Sequence, residues 1–186
     1  PYSMGMAHDY DNVFWVVDGY NGQVVRYDFQ APHQPGGHDH SDGIVRRYPE
    51  AEVSGVYDVP SHMVLDQSTG WLYIADTGAN RITRLDTRSG SVSRNLSADN
   101  EYLQEFSEYR GASFETVSEA VQYPTGMALS AGRLFVSDIG TNEIIAFDLS
   151  TLQELGRVST GATGIMGLAV GPNGKIWYVD ASENKV

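Results

Sequence analysis

One pattern in this sequence limits its fold more than any other feature, because it comes round four times. The copies occupy residues 3–29, 61–87, 125–149 and 166–186. Each opens on a short apolar stretch, passes a polar turn, and enters a second stretch that ends in an aspartate: Asp18, Asp76, Asp138 and Asp180. A turn of Gly, Asn or Ser residues follows, then a third stretch in which Tyr27, Leu85 and Phe147 stand directly before Asp28, Asp86 and Asp148. Residues 81–85 alternate polar and apolar with a period near two, the mark of a strand with one buried face. Residues 13–17 and 71–75 are almost wholly apolar, as a strand buried on both faces would be. Asp138 and Asp180 stand 42 residues apart, the length of a four-stranded propeller blade. The expected fold class is therefore all-β, a β-propeller of four-stranded antiparallel blades at about 1–58, 59–122, 123–163 and 164–186. Outer fourth strands are expected near 44–48, 91–95 and 154–159. Two insertions lengthen the earlier repeats, at 30–43 and 96–123. The second contains EYLQEFSEY, where Tyr102, Phe106 and Tyr109 fall on one side of a short expected helix.

The stretches GWLYIADTGANRITRLD and YPTGMALSAGRLFVSDIGTNEIIAFD resemble the NHL-type six-bladed β-propeller family. The resemblance covers most of the chain outside the two insertions. It implies that about three and a half blades are present and that the chain is a fragment of a longer polypeptide, since an unclosed propeller leaves sheet edges and its axial core open to water. It speaks to architecture more than to activity, because this fold hosts scaffolds, sensors and enzymes alike.

Charge removes some function classes. Twenty-four acids face twelve bases for a net charge of −12, which disfavours nucleic-acid binding and attachment to anionic membranes. No apolar run approaches the roughly 20 residues of a membrane span. Cysteine is absent, so disulfides, thiolate metal sites and cysteine nucleophiles are excluded. An acidic, lysine-poor, cysteine-free chain suits an extracytoplasmic protein, secreted or periplasmic.

Candidate site residues fall in three groups. His62 stands where the other repeats carry Gly5, Gly126 and Gly167, so its imidazole is expected near the axial tunnel as a base or metal ligand. Peptidylglycine amidating lyases, related propellers, carry zinc-binding axial histidines near this strand; there the histidine directly follows proline, whereas Ser61 separates Pro60 from His62 here. The insertion at 96–123 is expected to overhang the same face and bring Arg110 to a ligand beside His62. The segment His38-Asp39-His40-Ser41-Asp42 offers His38, His40 and Asp42 to Zn²⁺ or Ca²⁺. The recurrent aspartates read as structural acceptors of turn N–H groups, because every repeat has one. No Gly-x-Ser-x-Gly elbow, P-loop or dinucleotide fingerprint occurs. The expected function is a binding module for a small molecule or a protein or peptide. The alternative is a metal-dependent propeller enzyme, amidating-lyase-like or lactonase-like, with His62 as one axial ligand.

Overall fold

The computed structural model describes residues 3–186 except positions 33, 35, 36 and 38. Four sheets follow one another along the chain. The first begins with β1 (Ser3–His8), β2 (Val13–Asp18), β3 (Gln23–Asp28) and β4 (Ile44–Glu52), each antiparallel to the one before. The second begins with β5 (Met63–Asp66), β6 (Trp71–Asp76) and β7 (Arg81–Asp86). Next come β8 (Ser91–Asn95), β9 (Glu105–Arg110) and β10 (Phe114–Ser118). The third sheet is β11 (Pro124–Ser130), β12 (Arg133–Asp138), β13 (Glu143–Asp148) and β14 (Glu154–Ser159), again antiparallel throughout. The pair β15 (Ile165–Val170) and β16 (Ile176–Asp180) completes the set. The first strands of successive sheets touch one another, β1 with β5, β5 with β11 and β11 with β15. Sheets stacked face to face about a line of first strands form a propeller-type arrangement. No helix among the described residues is long and apolar enough to cross a membrane.

The repeated turn chemistry explains why each copy folds alike. Asp18 Oδ1 accepts the N–H groups of Tyr20 and Asn21 in the turn that follows it. The later aspartates also reach the loop entering their own sheet: Asp76 accepts from Ser54 N at 2.6 Å, Asp138 from Gln122 N and Tyr123 N, and Asp180 from Thr163 N. Asp76, Asp138 and Asp180 thus tie the end of a second strand to the start of their blade. The turn-acceptor role that the sequence suggests is seen at Asp18, Asp138 and Asp180, while Asp76 Oδ2 accepts from Arg81 Nε instead. The residue four places on is Gly22, Asn80, Asn142 or Asn184, all with φ between +52° and +63°. Glycine and asparagine are among the residues that enter this left-handed region most readily, so their recurrence favours the turn into the third strand. Asp28, Asp66, Asp86 and Asp148 make a second series of turns, each accepting the N–H two residues on.

Two cores lie between neighbouring sheets. Trp15, Val17, Val24, Tyr48, Met63, Leu72, Ile74 and Leu85 fill the space between the first and second. Tyr73, Ala75, Ile82, Met127, Leu134, Val136, Ile145 and Phe147 fill that between the second and third. Hydroxyls stitch the sheets near the axis: Thr77 Oγ1 donates to Pro124 O at 2.7 Å, and Thr125 Oγ1 to Met166 O at 3.0 Å.

Three expectations need correction. From its second residue onward β6 is buried, but β2 buries only Val13, Trp15 and Val17 and leaves Phe14 and Val16 half-exposed. The second sheet is sandwiched between two others, whereas the first has a described neighbour on one side only. The outer strand of the second sheet is β10, paired with β7, and not residues 91–95. Those residues form β8, which pairs with β9, and β9 lies parallel to β4 so that the first sheet has six strands. The expected helix is therefore a strand over its second half. A nine-residue amphipathic pattern is too short to sustain a helix alone, while as an extended segment it pairs with the open edge of β4 on one side and with β8 on the other.

Candidate ligand cleft between the first two sheets

The register of the first sheet places Trp15, Arg26 and Arg46 in a row across β2, β3 and β4. Two guanidiniums on facing positions repel unless each is compensated. Arg26, 9% exposed, donates through Nη2 to Asp28 Oδ2 at 3.1 Å and to the Tyr10 hydroxyl at 3.1 Å. Arg46 donates through Nε and Nη2 to the two oxygens of Glu105, at 2.9 and 3.2 Å. This pairing holds the Glu105 carboxyl below the usual carboxylate range. Glu105 belongs to β9, so the hairpin supplies the charge that lets Arg46 sit beside Arg26.

Tyr48 lies between these groups. It is 2% exposed, its ring 5.2 Å from both the Trp15 and the Tyr109 ring. Burial first, and the neighbouring Tyr109 second, push its phenol far above the ordinary value. The Arg46 guanidinium stands 5.1 Å from the Tyr109 ring centre, a cation–π contact. Across the gap the second sheet contributes Leu65, Gln67, Gly70, Thr87 and Arg88. Arg88 Nη2 donates to the carbonyls of Gln67 and Ser68, at 3.0 and 3.3 Å. Gln67 donates to the Asp9 carbonyl, and Trp15 Nε1 donates to Asp9 Oδ2 at 3.0 Å. Together these residues enclose a cleft of about 430 Å³, within the range of small-molecule sites.

The structure does not bring the sequence-selected residues together. His62 stands at the start of β5, where its Nδ1 accepts the backbone N–H of Met127 at 3.0 Å. Burial lowers its pKa. An N–H aimed at Nδ1 keeps the neutral ring's own proton on Nε2, so neither nitrogen presents a lone pair to a metal. Two of the three glycines at the equivalent positions are explained by backbone approach, since a Cβ at Gly126 would strike the Met166 carbonyl and one at Gly5 the Ser61 carbonyl, whereas a Cβ at Gly167 meets nothing. Arg110 ends β9 on the outer strands, where its Nε donates to Glu108 Oε1 at 2.6 Å and Glu50 lies 3.6 Å from Nη1. Its carbonyl abuts Gly90, beside the turn after Asp86. Asp86 faces Trp71, and Trp71 faces Asp66, the far end of β5 from His62. Arg110 thus lies at the opposite end of the second sheet from His62; only the last residues of the insertion return to the His62 end, where Gln122 and Tyr123 donate to Asp138. Arg94 and Arg110 together lower the Glu108 carboxyl to about 2.

Of the proposed metal ligands, His38 lies outside the described residues. His40 Nδ1 is 2.8 Å from Glu101 Oε1, and Asp42 Oδ2 accepts the N–H of Ala31 at 3.2 Å. No group of three or more His, Asp or Glu among the described residues is placed to hold a metal ion.

Sequence reasoning missed the cleft. A signal was available in the repeat: Arg26, Arg84 and Ala146 each stand two residues before the third-strand aspartate. In the second sheet Arg84 is closed off, 3.9 Å above the Trp71 ring and paired with Glu115 at 2.7 Å. In the third an alanine takes the place, and only the first sheet combines the arginine with a second one and a ring of phenols.

No family model matches the sequence, and no curated protein matches it. Solved structures do. A streptogramin B lyase aligns at TM-score 0.64 and 11% identity, over 98% of this chain and 49% of that one. The Myceliophteria thermophila Cps50 (Swd1) β-propeller domain aligns at TM-score 0.58 and 8% identity, over 96% of this chain and 49% of that one. The Kuenenia stuttgartiensis hydrazine synthase aligns at TM-score 0.55 and 12% identity, over 99% of this chain and 47% of that one. The chain spans about half the length of each structure. At these identities the likeness is one of fold, and the fold is that of a β-propeller.

Proposed function

We propose that this chain is a ligand-binding part of an NHL-like six-bladed β-propeller, and that its binding site is the cleft between the first two sheets. The observation that carries the reading is Tyr48: a phenol buried in the cleft wall whose hydroxyl makes no hydrogen bond to any described residue. The ring is buried while the hydroxyl stays open to the cleft, so it is free to bond a ligand atom in place of water. The metal-dependent reading depended on His62, whose ring is held with its Nε2 protonated and so does not fit a zinc ligand. A fragment library screened by protein-observed NMR tests the proposal. Hits are expected to shift resonances of Tyr10, Tyr48, Gln67 and Tyr109. Hits confined to the His62 end of the sheets would overturn it.

A further inference from the structure

The hydrogen-bonding groups that line the cleft are unequally committed. Arg26 uses only Nη2, so its Nε and Nη1 donate to no described residue. Arg46 leaves Nη1 uncommitted, and Arg88 leaves Nε and Nη1. The hydroxyls of Tyr48 and Tyr109 have no partner among the described residues either. None of these atoms is sealed from water. Since Arg26 is 9% exposed and lines the cleft, the cleft is its route to solvent. Open side-chain acceptors are fewer: Asp9 keeps one oxygen beyond the one bonded to Trp15, and Gln67 keeps its side-chain oxygen. A guanidinium offers five donors and accepts nothing, so three of them around one cavity create a demand for acceptor oxygens. The setting sharpens this: the chain has twelve bases in all and a net charge of −12, and three of those bases meet here.

We infer that the cleft takes a small organic anion, whose carboxylate or phosphate oxygens accept from Tyr48, Arg26, Arg46 and Arg88. This rests on the reading of the cleft as a ligand site. Arg26 and Arg46 sit at the base with Tyr48, each already balanced by one carboxylate, and Arg88 crosses from the second sheet to close on the anion. Charge-assisted bonds from guanidiniums are about twice as strong as neutral ones, which favours the ionised ligand over its neutral counterpart. Tyr10 and Tyr109 line the same cleft, whose volume of about 430 Å³ admits a short carbon frame.

Calorimetric titration at low salt tests this with paired probes: succinate, citrate and glycerol 3-phosphate against succinamide and glycerol. The anions are expected to bind and the neutral compounds not. Tyr48→Phe removes one hydroxyl and keeps the ring between Trp15 and Tyr109, while Arg88→Met removes a charge that no buried carboxylate needs. Each variant is expected to weaken anion binding about tenfold or more with the melting temperature unchanged. Neutral compounds binding as well as their anions, or anion affinity undiminished in both variants, would overturn the anion assignment and leave the cleft as a small-molecule site. No binding by either set, with no cleft shifts in the fragment screen, would remove both readings together.

Discussion

At the scale of single residues, the repeated aspartates carry more of the architecture than their exposure to sequence reading suggests. Asp138 is wholly buried and accepts three backbone N–H groups, from Gln122, Tyr123 and Gly140. Asp138→Ala strands those donors and is expected to cost about 2–4 kcal/mol in denaturant melts. Asp148, on the exposed turn after β13, is expected to cost much less on the same change. Serine and threonine at 150 and 151 hold its carboxyl down at about 2, but the turn stays open to water. His62 gives a second test. Its pKa is lower folded than unfolded, so the native state binds fewer protons, and stability is expected to fall as pH drops below about 6.5. His62→Gln keeps an acceptor for the Met127 N–H but does not titrate. Its melting temperature is expected to decline less between pH 7 and pH 5 than that of the parent; equal declines would assign the effect elsewhere. The structural role of the aspartates was legible because a feature present in every blade needs no ligand to explain it. The cleft was not, because nothing in residue spacing says that Arg26, Arg46 and Glu105 meet across three strands.

At the scale of elements, strand identities were legible and one strand pairing was not. Period-two alternation and Asp-terminated apolar runs located β2, β3, β6, β7, β12 and β13, since those signals are local. The partner of 91–95 was invisible for the opposite reason: an exposed polar strand such as β8 carries no buried face to declare its sheet. The consequence is measurable by hydrogen exchange. β4 is covered by β3 on one side and β9 on the other, so its amides at Arg46 and Arg47 are expected to exchange slowly. Those of β14, an outer strand exposed along its whole length, are expected to exchange early. Ser107→Pro, in the middle of β9 where the strand is flanked on both sides, is expected to cost about 3 kcal/mol or more and to release β4 to fast exchange.

At the scale of the whole molecule, three sheets share two well-filled cores, and the last pair of strands leans on the third sheet with Trp177 half-exposed. Denaturant unfolding followed at Trp177 is therefore expected to begin before the signal of Trp15, which is sealed between the first two sheets. The repeat length made this serial plan readable, but not the crossing that interrupts it. The chain leaves the second sheet after β7, lies along β4 as β9, and returns to the second sheet as β10. That detour matters while the polypeptide is being made. β4 is finished at residue 52, but its outer edge stays bare until residue 110 has been added. At ordinary elongation speeds the delay is about 3–12 s, far longer than a hairpin takes to form. For that interval the nascent chain displays an unprotected strand, and a holding chaperone that covers it is expected to raise the yield of folded product more than one that acts after release.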